Sequence, residues 1–264
     1  MPFTLSHPAA VLPFVRWTPK WLSFAAMVIG SLTPDVSYFF PRPRVSAWAH
    51  TFPGSFAWDL PVGIVLFGFF LFLREPLCRL LPSPNRELLL PLAQEKIRWS
   101  PAFALKIGFS VLLGVWTHTL WDSFTHQHGF FVERIPALSR TLFVVWNIDI
   151  PCFWVVQHIS TFAGLGILIG AYIFWLRSKG VKNPLRLKAD GWRYALWSFV
   201  LIIPIFLSGV SSMHMAWRGA NLTVWYSALC HFALYYMGFL FFVLLFLAVI
   251  FHAWSKNKNL PIRG

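Results

Sequence analysis

Acidic residues are what this chain has least of. Only nine Asp and Glu stand among 264 residues, and with 22 Lys and Arg they leave just 12% of the chain charged. An ordinary soluble domain carries roughly 25% charged residues, so a soluble globular fold is excluded for want of water-facing side chains. Cysteine is nearly as scarce. Cys78, Cys152 and Cys230 form no CxxC and no obvious pair, which argues against disulfides and against the Cys-rich sites of structural zinc. The opening MPFTLSHPAAVLPF has no basic n-region, because Arg16 comes after the apolar run instead of before it. No cleavable signal peptide is expected. Repeats and low-complexity segments are also lacking.

What the chain has in excess is apolar. It is 57% hydrophobic and 19% aromatic, with 28 Phe and 15 Trp, too many for one compact soluble core. Its mean hydropathy of +0.62 agrees. A bilayer span needs ~20 apolar residues, and four segments have them: 102–125, 153–176, 192–212 and 224–251. A fifth, 58–73, is a little short but almost free of charge. Two stretches near the start, 6–16 and 20–33, have a helical pattern but are too short to cross, and are expected to pair as a re-entrant hairpin turning at Trp17-Thr18-Pro19. The alternative is that the second of them is a sixth span. The fold class is therefore all-α, a polytopic membrane helix bundle of about five full spans plus that short pair. It reads as a single integral-membrane domain over 1–264, with a motif-bearing half (1–145) and three further helices (146–264).

The net charge of +13 would suggest nucleic acid in a soluble protein. In a membrane protein, basic loops answer anionic lipid and fix topology, so membrane lipid is the expected partner and nucleic acid is not. Arg74, Arg79, Arg86, Lys96 and Arg98 fall in one loop region. Arg177, Lys179, Lys182, Arg186, Lys188 and Arg193 fall in a second, and Lys256, Lys258 and Arg263 in the tail. Five alternating spans put these fourteen on one face, against Arg42, Arg44, Arg134, Arg140 and Arg218 on the other. By the positive-inside rule the basic loops and C-terminus are cytoplasmic.

That orientation gathers the titratable residues. His50, His118, His126, His128, His158, His214 and His231 fall at or near the outer ends of the spans, and Asp35, Asp59, Asp122 and Asp149 lie on the same side. An ionisable group at membrane depth costs at least ~2.5 kcal/mol, so such groups have a partner or a task. The sharpest piece is Thr117-His118-Thr119-Leu120-Trp121-Asp122-Ser123-Phe124-Thr125-His126. His118, Asp122 and His126 stand four residues apart, so one helix face presents imidazole, carboxylate, imidazole. Ligands one turn apart can grip one ion, as in the zinc motif HExxH. The competing reading is a hydrogen-bonded His–Asp pair that stitches helices together.

Three weaker pieces join it: Ser6-His7-Pro8, Gly30-Ser31-Leu32-Thr33-Pro34-Asp35, and Ala49-His50-Thr51-Phe52-Pro53-Gly54 leading to Trp58-Asp59. Asp35, placed where a helix stops at Pro34, has helix capping as its simpler explanation. Together His7, Asp35, His50, His118 and Asp122 converge from four segments. Such mixed N and O ligation suits Zn²⁺, Mn²⁺ or Fe²⁺. Trp48, Trp58, Trp116, Trp121, Trp146 and Trp154 cluster at the same end, as an aromatic belt does, or as the apolar wall of a lipid-binding cleft.

The order SHPAAVLP, GSLTPD, HTFPGSFAWDLPVG and THTLWDSFTH, over about residues 1–145, resembles a bacterial family of integral membrane proteins catalogued as a domain of unknown function. That family is distantly similar to membrane-bound metal-dependent hydrolases of bacterial inner membranes, and through them to the all-helical, zinc-dependent phospholipase C class. The resemblance implies His7, Asp35, His50, His118 and Asp122 as metal ligands. It also implies a bacterial cytoplasmic membrane as the location. Two departures tell against a second metal: Val45 stands where the hydrolase loop has a further His, and Thr-His-Ser has become Ala49-His50-Thr51.

The expected activity is hydrolysis of a lipid-linked phosphoester or ester at the outer leaflet, using one divalent ion, Zn²⁺ first, or two. Asp59 or an unliganded Asp35 takes the proton, while His126 or His128 donates to the leaving group. Arg42, Arg44 and Arg134 could grip a phosphate, or simply anchor loops to headgroups. Rival readings are a transporter or proton- and metal-handling protein using the same His/Asp cluster, a haem or quinone protein with His158 and His231 as axial ligands, and a scaffold with a structural metal.

Overall fold

Proline shapes the first element. Pro8 and Pro13 each lack an amide donor, and Thr4–Trp17 winds as a 3-10 helix. The structure is a computed structural model and describes the backbone of residues 4–18, 20–40, 43–145, 147–181, 187–216 and 222–257. Pro19, Arg42, Trp146, Lys182, Arg186, Arg218, Lys258 and Arg263 lie outside the described residues, as do the side chains of Lys188, His214 and Lys256.

Helix α1 (Phe24–Val36) opens at the N-cap Ser23, whose hydroxyl accepts from the Ala26 amide. It runs through Pro34, so Asp35 lies in its last turn and not beyond its end. Pro34 forfeits one hydrogen bond, and the chain tightens at once into a 3-10 turn at Ser37–Phe39. Two short helices come next, α2 (Pro43–Ala49) and α3 (Phe52–Gly54). A π turn, Ser55–Asp59, then feeds α4 (Leu60–Leu80). The span expected over 58–73 is thus helical from Phe52 to Leu80; Pro53, Pro61 and Pro76 are absorbed without ending it. After α5 (Asn85–Ala93) comes α6 (Pro101–Asp122), capped by Ser100 accepting from the Phe103 amide.

Helices α7 (Phe130–Arg134) and α8 (Pro136–Ser139) are short. The chain then departs from the expected all-helical pattern with an antiparallel hairpin, β1 (Thr141–Val145) and β2 (Ile148–Pro151), turned by Asn147 at φ +61°. Asn tolerates that left-handed conformation because its side chain bonds locally. The chain ends in three long helices, α9 (Cys152–Ser178), α10 (Leu187–Ala216) and α11 (Leu222–Asn257).

Five helices are long and apolar enough to cross a membrane, and they expose large apolar side chains such as Phe162, Phe174, Phe206, Phe242 and Phe246. In water such faces would drive aggregation; in a bilayer they are solvated. The protein is a multi-pass membrane protein of the all-α class, with the β1–β2 hairpin as its one exception among the described residues.

Its contacts group into two compact units. One comprises residues 1–67 and 99–175, the other 68–98 and 176–264. In the first, α1 lies against α6 at glycine contacts. A Cβ on Gly30 would sit 2.1 Å from the Val111 carbonyl oxygen, and one on Gly114 would sit 2.1 Å from that of Met27. Backbone touches backbone, as small residues permit in membrane helices. Val11, Leu22 and Met27 close the adjoining core with Phe14, Val28 and Leu113, and the Ser23 amide donates to Ser110 Oγ across it. In the second unit, α10 packs along α11 and is tied to the end of α4 by Trp197 Nε1 donating to the Leu80 carbonyl.

Candidate metal centre

The close approach of α1 and α6 sets the last turn of one beside the last turns of the other. Asp35, His118 and Asp122 meet there, all buried. His50 arrives from the end of α2, and His7 from the N-terminal 3-10 helix. His118 Nε2 lies 3.2 Å from Asp122 Oδ2 and 3.7 Å from Asp35 Oδ1. His50 Nε2 lies 3.7 Å from those same two oxygens. One ligand atom from each of Asp35, His50, His118 and Asp122 falls within 4.8 Å of all the others.

Backbone carbonyls orient both imidazoles. His118 Nδ1 is 2.8 Å from the Ser31 carbonyl oxygen, and His50 Nδ1 is 2.8 Å from that of Ser46. A carbonyl has no proton to give, so each Nδ1 donates, and in the neutral ring Nε2 carries the lone pair. Both lone pairs are presented to the same two carboxylates. Metal-ligating histidines are held in this way by their second nitrogen.

His7 is buried and stacks on His118, with ring centroids 3.8 Å apart and planes at 25°. Its Nε2 is 3.6 Å from Asp122 Oδ1. Trp121 stands edge-on to His7, its ring centroid 5.6 Å away, and donates Nε1 to Ser160 Oγ. Trp116 similarly donates to Ser55 Oγ.

Stitching by hydrogen bonds does not describe this cluster. Good N–H···O bonds measure 2.7–3.2 Å and weaken steeply with misalignment, and the N···O pairs here are mostly 3.5 Å or longer. His7 Nδ1 and Nε2, Asp35 Oδ2, His50 Nε2, His118 Nε2 and Asp122 Oδ1 are all buried without a hydrogen-bond partner among the described residues. At about 1–3 kcal/mol for each unsatisfied buried group, the penalty is too large to be left standing. A tetrahedral ion with ligand bonds of ~2.0–2.1 Å spaces its ligands ~3.3 Å apart, close to the separations found. The residues fit a divalent ion.

The buried charges act strongly on one another. Burial pushes the Asp35 carboxyl up, but His118, His50 and His7 outweigh it and hold the group below the usual carboxylate range. Burial, with the neighbouring His118, lowers His7 to about 4, so its ring is neutral at pH 7. For His50 the Asp35 carboxylate overcomes burial and the net shift is upward. Burial lowers His126.

The remaining expected site residues divide between the cluster and the surface. Asp59 is fully buried in the π turn, with neither oxygen engaged, near enough to His50 and His118 to feel their charge. His126 Nδ1 is 3.5 Å from Asp122 Oδ2, and its Nε2 is buried without a partner among the described residues. His128 is not brought to the cluster; its side chain is 86% exposed, 3.7 Å from Glu133. Arg134 stacks on Phe130 and donates to its carbonyl. Asp149 is exposed on β2.

Sequence reasoning passed over two contributors. Tyr38 sets its ring 5.8 Å from that of His50, and burial together with Asp35 pushes its phenol up. Gly30 opens GSLTPD, and small residues in membrane helices are the signal that could have found its packing role.

A multi-pass helical membrane protein with a buried His/Asp centre able to hold a divalent ion is the class that fold and site define. Within that class the chain belongs to DUF4184, described as a domain of unknown function, whose match runs over residues 1–254. The match therefore reaches well into α9, α10 and α11. No curated protein and no solved structure shows a significant match.

Proposed function

We propose that the protein is a metal-dependent hydrolase of the bacterial inner membrane, acting at the outer leaflet on a lipid-borne phosphoester or ester. One observation carries the reading: two backbone-oriented imidazole lone pairs and two carboxylates converge on one buried point, where His50 Nε2, His118 Nε2, Asp35 Oδ2 and Asp122 Oδ1 have no hydrogen-bond partner among the described residues. Asp35, His50, His118 and Asp122 would hold one ion, Zn²⁺ being suited to such an N/O donor set, with His7 beside them. When bound, such an ion lowers the pKa of a coordinated water toward ~7 and polarises a phosphoryl or carbonyl oxygen.

The chain's own residues do the rest. Asp59, buried with both oxygens free, accepts the proton of the attacking water. His126 delivers a proton from Nε2 to the leaving oxygen, with Asp122 Oδ2 beside Nδ1 to steady the imidazolium. Phe52 and Phe56 gather around Trp116, two residues before His118, and are exposed, an apolar surface on which acyl chains can rest.

The test uses full-length protein in nanodiscs, loaded with Zn²⁺ and offered phosphoester and ester lipids. Turnover of one class is expected, and Asp59→Asn should keep its metal while losing roughly 10²-fold or more in kcat. Bound metal with no turnover of any such lipid would overturn the hydrolase reading in favour of a metal- or proton-handling role.

A further inference from the structure

The second unit carries a feature unrelated to the metal centre: a cleft of about 560 Å³ where α4, α10 and α11 bring their ends together with α5. The spans Phe52–Leu80 and Ser227–Trp254 end there and the span Asp190–Met213 begins there, so the cleft lies at headgroup depth. Its polar lining is basic. Arg79, Arg86 and Arg193 line it, and no carboxylate does among the described residues. Trp192 and Trp254, both exposed, are part of its lining, and tryptophan is favoured at a membrane surface. Its apolar wall includes Leu196, Leu247, Ile250 and Phe251.

The guanidiniums are held in place. Buried Asp190, which interrupts the helical backbone at the start of α10, accepts from the Ser83 amide at 2.9 Å and from Arg193 Nη1 at 2.7 Å. Arg86 Nη1 lies 3.5 Å from the same carboxylate. Glu87 Oε1 lies 4.0 Å from Arg86 Nη2, so acids hold the arginines from behind, while the only charged groups of the cleft lining itself are the guanidiniums among the described residues. Arg79 is clamped by Glu75 at 2.7 Å. Arg193 also lies over the Trp192 ring, 4.4 Å from its centroid. Yet Arg193 Nε is buried and has no acceptor among the described residues. Arg79, Arg86 and Arg193 keep 36%, 26% and 19% of their side chains exposed, and these edges, not the buried Nε, are what an anionic oxygen in the cleft would meet.

We propose that this cleft binds one anionic phospholipid, its phosphate at Arg86 and Arg193 and an acyl chain along the apolar wall. Fixed basic pockets between helix ends select anionic headgroups by charge, while the wall distinguishes a lipid from a free anion.

Native mass spectrometry of the purified full-length protein tests it, by counting retained phosphatidylglycerol against phosphatidylcholine. Wild type should prefer phosphatidylglycerol by roughly tenfold. Arg86→Gln/Arg193→Gln should lose the preference, and so should Leu196→Trp/Ile250→Trp, which fills the cleft without changing charge. Arg177→Gln, outside the lining, should keep it. If the arginine pair proves necessary for folding, the filled-cleft variant decides alone. Equal retention of both lipids by wild type, or a filled-cleft variant that still prefers phosphatidylglycerol, overturns the site. Displacement of the lipid by excess inorganic phosphate would overturn it too, assigning the arginines to a free anion.

Discussion

His118→Ala and Asp122→Ala should each empty the protein of its transition metal. Elemental analysis of wild type, purified without chelator and reloaded, is expected to find about one equivalent, with a small fraction of that in either variant. Geometry sets the magnitude. Losing only an outer partner of a ligand costs about 10–100-fold in affinity, and these two residues supply ligand atoms themselves. Asp122 has the larger expected effect, because its two oxygens face His7, His50, His118 and His126 together. His128→Ala, exposed and away from the cluster, should keep a full complement. A wild type that stays metal-free after reloading would remove the basis for the proposed chemistry and leave the buried lone pairs in need of another partner.

Gly30→Ala and Gly114→Ala should be the most damaging substitutions of a single methyl group. Each new Cβ would meet a backbone carbonyl oxygen at 2.1 Å, and main chain cannot turn aside as a flexible side chain can. The helices must part, at a cost of about 1–3 kcal/mol each by the usual toll of overpacking. Parting also moves Asp35 on α1 away from His118 on α6, so metal content should fall along with Tm. Gly68→Ala and Gly170→Ala have open space around the added methyl and should change neither. If Gly30→Ala unfolds at the wild-type temperature with its metal retained, the helix contact is not what positions the centre.

The membrane class and the spans are legible because hydropathy acts locally: a run such as 102–125 declares itself without reference to any other residue. The His118–Asp122 pair is legible for the same reason, since helical spacing fixes which side chains share a face. His7, Asp35 and His50 can be suspected only through their motifs, because their meeting depends on how three further segments pack against α6. The residues least visible are those whose role is main-chain geometry. Gly30 is one of them; Asp59 is legible as a residue, but the π turn that buries it inserts one residue into a helix without a sequence signature. The hairpin at Thr141–Pro151 escapes because its strands lie in a stretch rich in Phe, Val and Trp, which suits strand and buried helix alike.

The hydrogen bonds that aim His118 and His50 end on the peptide carbonyls of Ser31 and Ser46, and this has a bearing on how the centre can change over time. A ligand aimed by a carboxylate side chain can be freed by one substitution at the partner. Here every amino acid at position 31 or 46 brings the same oxygen. Random mutation therefore cannot reach either acceptor directly. It can reach them only by displacing the helix that carries them, which makes Gly30, next to Ser31 and in contact with α6, the heritable handle on an imidazole it never touches.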